Sequence, residues 1–475
     1  MTPLTGYAPD FPATTPGTLL ECTDVIPYSN GIGPAYSPSL MFAGPSTFSL
    51  SRGAGRFELG DGTSRMFFGT DSTLYEYKTP WSDVSRGGGY SLASTSRWSF
   101  AQFGSTSIAA NIDTTIQTSA PGVNFADQAT APKAAIVETV LSSGGGFVMA
   151  FNTIDGTYGT RTNAWWCCAA NDVTSWTPSI ARQCGTGQLI GVEGPIIAAK
   201  QFGTDMIIAY KESSFYVGRY VGGDVIWSWQ EYPGYGCIGP DAVANLGFAH
   251  FVVGQQEIYI FDGARVTVLG QEFRNTDGIF MTSTSVSRNL VRVMYERYSS
   301  TIWIFYTTTS NLYQTDKCLV YNTETKRWGK SDRTVGPVLE SRGNRLILFT
   351  PSGGSPSYSL YRIEGDPGSS SFRVNWFGDD SKISMLTEAA LRYDMQSQTS
   401  IKYPTTASIQ GYYSIWMRNS ATTGPTATAS DDPGSGKARF TIRQSGRWHN
   451  LVFNLTGPYR VVGFDVKLTP VGGNR

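Results

Sequence analysis

Short apolar runs separated by tight polar turns recur along the chain, and they are clearest near its middle. Residues 206–217 hold two apolar runs around the polar turn Lys211–Ser214. Asp262-Gly263 separates two further apolar runs, which favours a β-hairpin whose turn requires positive φ at both central residues. Residues 258–261 are apolar at every position, so both faces of that strand are expected to be covered. The pattern predicts stacked antiparallel sheets.

Similar strand pairs repeat over most of the chain. Their first strands are expected near residues 65, 98, 147, 206, 250, 302 and 345, at spacings between 33 and 59 residues. Sheet-like units at such periods are typical of β-propeller blades. Each small sheet cannot cover its own faces, whereas a closed ring of blades covers all of them. The sequence therefore predicts an all-β protein with a β-propeller of about six to seven blades over residues 51–370. A pair of β-sandwiches is the structural alternative.

The two ends of the chain differ from the repeating region. Residues 1–50 are rich in Pro, Gly, Ser and Thr, which favours an extended N-terminal arm or a set of long loops. A Gly/Ser-rich junction at 365–371 precedes further strand candidates, so residues 371–475 are predicted to form a separate C-terminal antiparallel β domain. Within it, the polar segment 419–437 is expected to be an exposed loop. Residues 386–396 are read as part of a strand, with a helix as the alternative.

Composition and charge narrow the function classes. Charged residues make up 16% of the chain, aromatic residues 13%, and 53 residues are Gly, which fits an all-β protein. Lys and Arg together number 37, as do Asp and Glu, so the basic excess of a protein that grips nucleic-acid phosphates is absent. The N-terminus lacks the charged start and apolar core of a signal peptide. No apolar run approaches the ~20 residues that span a bilayer, so no membrane anchor is expected.

The six cysteines are expected to be free and buried. They are Cys22, Cys167, Cys168, Cys184, Cys237 and Cys318, and no two are spaced as Cys-x-x-Cys. So few cysteines in so long a chain do not make a disulfide framework, which indicates a protein made in a reducing cytoplasm. Cys167 and Cys168 are neighbours in a strand and should face opposite sides of its sheet.

Residues suited to catalysis are scarce. His250 and His449 are the only histidines, so both are expected to be structural or surface residues, and no catalytic, cofactor-binding or metal-binding residue is predicted. Some propellers are glycosidases that use carboxylates. Residues 171–176 approach the Asp-box of sialidases but lack its Gly. A carbohydrate-binding or glycan-cleaving propeller is therefore the alternative function. Its candidate acids, on turns, are Asp155, Asp172, Glu193, Asp224, Glu231 and Asp262.

Five stretches resemble the tail nozzle proteins of short-tailed bacteriophages, also called tail tubular protein B. They are DVIPYSNGIGPAYSPSL at 24–40, RWSFAQFGSTSIAAN at 97–111, NAWWCCAANDVTSW at 163–176, TDMIIAYKESSFYVGRY at 204–220 and RFTIRQSGRWHNLVFNL at 439–455. The first resembles the Pro/Gly-rich start of that family, and the second its aromatic-Gln-Phe-Gly hairpin. The third resembles a blade that ends in a polar turn. The fourth is similar to a hairpin with a charged turn before a Phe-Tyr-Val strand, and the last to a C-terminal Gly-Arg-aromatic-His segment.

The resemblance implies a structural virion protein and not an enzyme: a β-propeller with added β domains that assembles in the host bacterial cytoplasm. Family members form a ring, usually of six subunits, at the distal end of the tail. The ring would retain the packaged genome and give its exit channel during DNA ejection. Expected partners are further copies of the chain, the tail adaptor protein, tail fibre or tail-tip proteins, and DNA that passes through the lumen non-specifically. This chain is shorter than many members of the family.

DNA is expected to pass along the axis of the multi-subunit ring, not through one propeller. A propeller's central channel suits water or a small ligand, and bulky side chains lie in the blade strands: Trp98, Trp165, Trp227 and Trp303. Closed cyclic symmetry builds a wide lumen, and a balanced charge avoids holding each phosphate. The lumen is expected to be polar and neutral to acidic. Residues 1–50 and 419–437 are candidate contacts with other subunits or with the adaptor.

Overall fold

The structure is a computed structural model that describes residues 1–44, 51–277, 279, 288–308, 314–341, 345–351, 358–394, 403–415, 421–429 and 436–471. In these residues the regular structure is overwhelmingly β, as the short apolar runs predict, so the all-β prediction is confirmed. A 3-10 turn spans Ile180–Arg182 in a connection between strands.

Six short strands precede the repeating region. They are β1 Thr2–Pro3, β2 Gly6–Tyr7, β3 Thr18–Thr23, β4 Val25–Tyr28, β5 Gly31–Pro34 and β6 Ser37–Phe42.

The repeating region consists of antiparallel sheets that follow one another along the chain. Blade 1 contains β7 Gly53–Glu58, β8 Ser64–Gly69, β9 Leu74–Tyr77 and β10 Trp81–Asp83. Blade 2 contains β11 Ser99–Phe103, β12 Thr106–Asn111, β13 Thr114–Ser119 and β14 Ala126–Asp127. Blade 3 contains β15 Lys133–Ser142, β16 Gly145–Asp155, β17 Gly159–Cys167 and β18 Thr186–Gln188. Blade 4 contains β19 Ala198–Gln201, β20 Met206–Tyr210, β21 Ser214–Gly222 and β22 Ile226–Pro233.

Three further blades complete the series. Blade 5 contains β23 Val243–Asn245, β24 His250–Val253, β25 Ile258–Phe261 and β26 Val266–Leu269. Blade 6 contains β27 Arg292–Glu296, β28 Thr301–Tyr306, β29 Lys317–Asn322 and β30 Arg327–Lys330. Blade 7 contains β31 Val338–Leu339, β32 Ile347–Pro351 and β33 Tyr358–Gly365. Its outer strand is β6, from the other end of the chain, which pairs antiparallel with β33.

The seven blades form a closed β-propeller, in which blades 2 and 3 are also joined by a pairing between β13 and β15. The first strand of each blade lies beside the first strand of the next, and β31 of blade 7 lies beside β7 of blade 1. Apolar clusters fill the spaces between blades, and the cluster that joins blade 7 to blade 1 includes Phe68, Trp81 and Phe349. Each sheet thus buries its faces against its neighbours, as a closed ring requires. The propeller prediction is confirmed, the blade count is seven, and the paired-sandwich alternative is wrong for this region.

The predicted strand positions coincide with strands, but most of them mark the second strand of a blade and not the first. The positions near 65, 147, 206, 250, 302 and 345 coincide with the second strand of a blade, whereas the position near 98 coincides with a first strand. Second strands are the most completely buried, as the patterns of β8, β16 and β28 show, so their apolar runs are the most visible. The uneven early spacings follow from this change of phase.

The hairpin around Asp262 exists, but its turn differs from the expected one. The amide of Asp262 donates to the carbonyl oxygen of Arg265 at 3.3 Å, so Gly263 and Ala264 are the two central residues. Positive φ is needed only at Gly263, where it is +91°. The Asp262 carboxylate instead accepts hydrogen bonds from the amides of Ala264 and Arg265. The strand at 258–261 is almost wholly buried, as predicted.

The C-terminal strands form two sheet layers that pack face to face, and one of these layers is continuous with blade 6. They are β34 Ser369–Val374, β35 Phe377–Gly378, β36 Ser384–Tyr393, β37 Thr406–Ser414, β38 Thr422–Thr428, β39 Lys437–Gly446, β40 Trp448–Thr456 and β41 Val461–Pro470. One sheet contains β41, β36 and β39, and the other contains β34, β40, β37 and β38. Phe453 of β40 packs against Phe440 and Phe464 of the facing sheet. The strand interpretation of 386–396 is confirmed by β36, and the helix alternative is wrong there as far as residue 393.

Two expectations about the chain ends need correction. Residues 1–44 are not an arm of loops, because β6 belongs to blade 7, β4 pairs with blade 6, and β1, β3 and β5 pair with strands of the C-terminal sheets. The segment 419–437 is not one loop, because β38 lies within it and pairs with β37. Both segments contain few apolar residues and many Gly, Pro, Ser and Thr residues. Edge strands of this composition show no clear apolar pattern, so the sequence pattern does not predict them. The boundaries at 51 and 371 stay predictions.

One sheet runs from the propeller into the C-terminal strands. Lys330 of β30 pairs with Val25 of β4, β4 pairs with β5, and Ile32 of β5 pairs with Val461 of β41. The same large apolar cluster contains side chains of blades 4, 5 and 6 and of both C-terminal sheets. The N-terminal strands therefore join the propeller and the C-terminal unit by hydrogen bonds and by a shared core.

The cysteines and tryptophans lie in the packed interior. All six cysteines are buried and free. Cys167 belongs to the apolar cluster on one side of blade 3 and Cys168 to the cluster on the other side, as their adjacent positions predict. The four tryptophans named from the sequence pack between blades, where they belong to three of the inter-blade clusters.

Candidate functional site

The six candidate acids do not converge on one cleft, because the topology places them on opposite faces of the propeller. Links between second and third strands, and links between successive blades, lie on one face; the hairpins that precede fourth strands lie on the other. Asp155, Glu193 and Glu231 lie at the first face. Asp172 and Asp224 lie at the second face, as does Asp262. Two carboxylates from different faces of the propeller therefore cannot act together on one substrate bond.

Asp172 organises the turn that resembles an Asp-box. Its Oδ1 accepts hydrogen bonds from the amide and hydroxyl of Thr174 at 3.0 and 2.6 Å, and Arg182 Nη2 lies 2.6 Å from Oδ2. The hydrogen bonds from Thr174, with help from Arg182, hold the pKa of Asp172 below its usual range. Trp176 at the end of the turn is fully buried, and its Nε1 donates to the carbonyl oxygen of Val173 at 2.8 Å. Both carboxylate oxygens are thus occupied in shaping the turn.

An open surface cavity of about 490 Å³ lies beside this turn. Its lining is polar and includes Thr130, Asp172, Ser175 and Arg182. An Asp held ionised by these partners can accept hydrogen bonds but is a poor general acid at neutral pH.

Glu231 is also a structural acid. Its Oε1 accepts hydrogen bonds from the hydroxyl of Tyr216 at 2.6 Å and from the amide of Val192 at 2.7 Å. The bond from Tyr216 comes first among the interactions that lower the pKa of Glu231. Through these bonds the carboxylate fixes the link between blades 3 and 4 to the last strand of blade 4.

Lys211 is buried, although the sequence pattern predicts a polar turn after β20. Only 1% of this residue is exposed, and its Nζ donates to the carbonyl oxygens of Leu189 and Val192 at 2.6 and 2.5 Å. Burial lowers its pKa, and the charge of nearby Glu231 opposes that shift. A second surface cavity, of about 400 Å³, lies next to it and includes Glu193 in its lining. The lysine is held by backbone carbonyl groups on the side of that cavity.

Both histidines are buried and neutral, which confirms the structural reading. His250 Nε2 lies 2.9 Å from the carbonyl oxygen of Gln201 and Nδ1 lies 2.8 Å from the hydroxyl of Tyr210. His449 Nε2 lies 2.9 Å from Ser384 Oγ, and its Nδ1 accepts from Gln444. Burial lowers the pKa of each histidine to about 4.

In the part of the chain that the structure describes, no group of three or more His, Cys, Asp or Glu side chains could hold a metal ion. Over the same residues, no helix is long and apolar enough to cross a membrane.

Sequence reasoning missed the charged side chains at the start of the inner strands. Arg52, Arg97, Asp241 and Arg292 each precede or begin the first strand of a blade. They are far apart in sequence, and the fold brings Asp241 within 3.6 Å of Arg292. A charged residue just before several first strands is the signal that could have identified them. Using this signal requires knowing which strand of each blade comes first.

Comparison with known proteins gives structural likeness alone. No family model matches the chain, and no curated protein matches it. A solved structure described as "YCF48 bound to D1 peptide" is 11% identical and covers 69% of this chain and 97% of its own, with a TM-score of 0.42. A second, described as "Crystal structure of BBS1N in complex with ARL6DN, soaked with mercury", gives the same values. At this identity and TM-score, neither bears on function.

Proposed function

We propose that the protein is a structural subunit of the tail nozzle of a short-tailed bacteriophage. In this role, copies of the chain form a ring, expected to be a hexamer, whose lumen retains the packaged genome and then lets it leave. The resemblance of five stretches to nozzle proteins is the source of the proposal. A propeller joined to an additional β unit is the architecture that this resemblance implies.

The observation that carries the proposal furthest is the continuous sheet between the propeller and the C-terminal unit. Blade 6 continues through β4 and β5 into β41, so the two units are joined by backbone hydrogen bonds and not by a flexible linker alone. A subunit that holds pressurised DNA must resist deformation. Hydrogen-bonded continuity and a shared apolar core oppose hinge motion between the two units. A freely diffusing sugar-binding module has no such requirement.

The charge and the acid placement also favour a scaffold. The formal net charge is zero, so the chain as a whole does not attract DNA phosphates strongly. The carboxylates of Asp172 and Glu231 are engaged in turns and inter-blade links, on opposite faces of the propeller. A glycosidase needs two carboxylates within roughly 5–10 Å of each other. The fold places Asp172, Asp224 and Asp262 on one face of the propeller and Asp155, Glu193 and Glu231 on the other.

Mass measurement combined with electron microscopy of the purified protein tests the proposal. We expect a ring whose mass, by light scattering, is about six times 51.6 kDa. A protein that stays monomeric at every concentration, and is also a lone propeller in the particle, contradicts it.

A glycan panel tests the alternative on the same preparation. The nozzle proposal expects no turnover of host cell-wall glycans. Hydrolysis that is abolished by Asp172→Asn or by Glu231→Gln, but not by the matched change Asp262→Asn, would favour the glycan-cleaving propeller instead.

A further inference from the structure

A surface cavity of about 400 Å³ lies between blades 3 and 4, beside the buried Lys211. It is lined by the start of β17, the end of β18 and the link that follows β18. We call it the blade 3–4 cavity. Its volume lies within the range of about 300–1,000 Å³ that is typical of small-molecule sites. Most such sites are lined chiefly by apolar side chains, whereas this lining is polar, so a ligand there must be polar as well.

The blade 3–4 cavity offers hydrogen-bonding groups that the fold does not use. The side chains of Thr160, Thr162 and Glu193 line it and make no hydrogen bond or ion pair with any described residue. Arg161, between the two threonines, lies 4.1 Å from the centre of the Tyr158 ring. Its buried Nε has no hydrogen-bond partner within the described residues, which leaves a donor free for a ligand oxygen.

The charges around the cavity favour a neutral ligand. Arg161 Nη2 already lies 3.6 Å from Asp155 Oδ2. Lys211 Nζ donates to two backbone carbonyl oxygens, and the charge of Glu231 acts on it as well. Glu193 has no cationic partner among the described residues, so its carboxylate would repel an anion. A cation would instead meet the guanidinium of Arg161 and the ammonium of Lys211.

An apolar side chain lies beside these polar groups. Ile190 belongs to the lining, and 78% of it is exposed. A pyranose sugar carries hydroxyl groups around its ring and C–H groups on the faces of the ring. Such a ligand therefore needs hydrogen-bonding groups and an apolar surface at the same time, and the lining supplies both.

The wall of the cavity is fixed by the fold itself. The amide of Leu189 donates to the carbonyl oxygen of Asn163 at 2.9 Å, and the amide of Val192 donates to Glu231 Oε1 at 2.7 Å. Lys211 holds the same link through the carbonyl oxygens of Leu189 and Val192. A preformed wall reduces the conformational entropy that is lost when a ligand binds.

We propose that the blade 3–4 cavity binds a neutral pyranose sugar without cleaving it. Thr160, Thr162 and Glu193 bind hydroxyl groups of the sugar, and Ile190 contacts its C–H groups. Cleavage needs two carboxylates within roughly 5–10 Å of each other, whereas the described lining contains one, that of Glu193. This inference does not depend on the nozzle role, because it concerns each propeller separately.

Calorimetry and ligand-observed NMR on the full-length protein test the proposal. The probes are methyl glucoside and methyl galactoside, which represent surface polysaccharides, and diacetylchitobiose, which represents cell-wall amino sugars. We expect at least one probe to bind at one site per chain, and the probe that binds most tightly distinguishes the two sources. If no probe binds wild-type protein, the proposal is wrong, whatever the mass of the ring.

Two tryptophan variants locate the site. Thr162→Trp should abolish binding, because this exposed strand position lets the indole fill the cavity without entering the core. Thr177→Trp places the same side chain in the other polar cavity, on the opposite face of the propeller, and should bind as wild type does. Unchanged binding in a Thr162→Trp protein with a native circular dichroism spectrum would overturn the proposal.

Glucuronate tests the assignment of a neutral ligand. Glu193 should repel its carboxylate, so wild-type protein should bind glucuronate several-fold more weakly than methyl glucoside. In Glu193→Gln this preference for the neutral sugar should disappear, which a purely structural role of Glu193 would not produce. Tighter binding of glucuronate than of methyl glucoside to wild-type protein would show an anion site and would refute the proposal.

Discussion

Arg65 and Glu76 form a bidentate ion pair inside blade 1, with Nε to Oε1 at 2.5 Å and Nη2 to Oε2 at 3.1 Å. Both side chains are about 95% buried. The guanidinium also donates to Ser107 Oγ and to the carbonyl oxygen of Ser119 in blade 2. Burial raises the pKa of Glu76, but hydrogen bonds from Arg65 and Lys78 outweigh it and hold the pKa below its usual value. One ion pair therefore connects two blades.

Replacing Glu76 by Gln should destabilise the protein strongly. The substitution leaves a buried guanidinium without its counter-charge, and breaking such pairs typically costs about 3–5 kcal/mol. Urea unfolding at pH 7 measures the change. Glu58→Gln is the matched control, because its pair with Arg56 is more exposed and should contribute at most about 1 kcal/mol. Equal losses in both variants would show that the buried pair has no special role.

Acid should destabilise the fold through His250 and His449. Each has a folded pKa of about 4, below its ordinary value of 6.5, so the unfolded chain binds protons that the folded one does not. This contribution to stability is complete above pH 6.5 and is lost as the pH falls from 6.5 to about 4, at about 1.4 kcal/mol per pH unit for each histidine. Urea unfolding at a series of pH values measures it.

The variants His250→Gln and His449→Gln provide the control for that slope. Glutamine can donate and accept a hydrogen bond but does not titrate. Each variant should lose stability at pH 7, yet show a shallower decline between pH 6.5 and 4.5 than wild type. An unchanged slope in both would assign the acid sensitivity to carboxylates.

The six thiols should react slowly in the native protein and completely after unfolding. Burial raises the pKa of Cys184 to about 11 and those of the other five further. At pH 8 the thiolate fraction is therefore small, and access is blocked as well. Denatured, unreduced protein should consume about six equivalents of thiol reagent. Cys184→Ser should remove the fastest native phase, and recovery of two or fewer thiols would show disulfide pairing.

Deleting residues 1–44 should open the propeller. The deletion removes β6, the outer strand of blade 7, and with it the strands that connect blade 6 to the C-terminal sheets. We expect aggregation or a large fall in melting temperature, and partial rescue when the segment 1–44 is co-expressed as a separate chain. A truncated protein with the melting temperature of wild type would show that residues 1–44 are a dispensable arm.

The sequence could predict the propeller because its evidence is local. Apolar runs such as 301–306 and turns such as Asp71-Ser72 reveal strands and hairpins without reference to the rest of the chain. Ring closure by β6 could not be predicted in the same way. The pairing of Arg362 with Ser39 joins residues from opposite ends of the chain, and the exposed side chains of β6 alternate with only partly buried ones.

The site residues were harder to predict than the fold. The sequence alone does not distinguish a catalytic carboxylate on a turn from a carboxylate that caps the turn. Asp172 and Asp262 cap their turns. Lys211 lies in a polar turn in the sequence, yet its Nζ is enclosed by carbonyl groups of the link between blades 3 and 4.

The outer strand of blade 7 also determines when the propeller can close during synthesis of the chain. Gly44, just after β6, donates a hydrogen bond to Ser359, 315 positions later. At about 5–20 residues per second, a ribosome makes β6 roughly 15–60 s before its partner strand exists. During that interval, partly built blades expose unpaired edges in the growing chain. The last step of propeller folding therefore waits until about three-quarters of the polypeptide has been made, and a chaperone that shields β6 early in translation should raise the yield of folded protein.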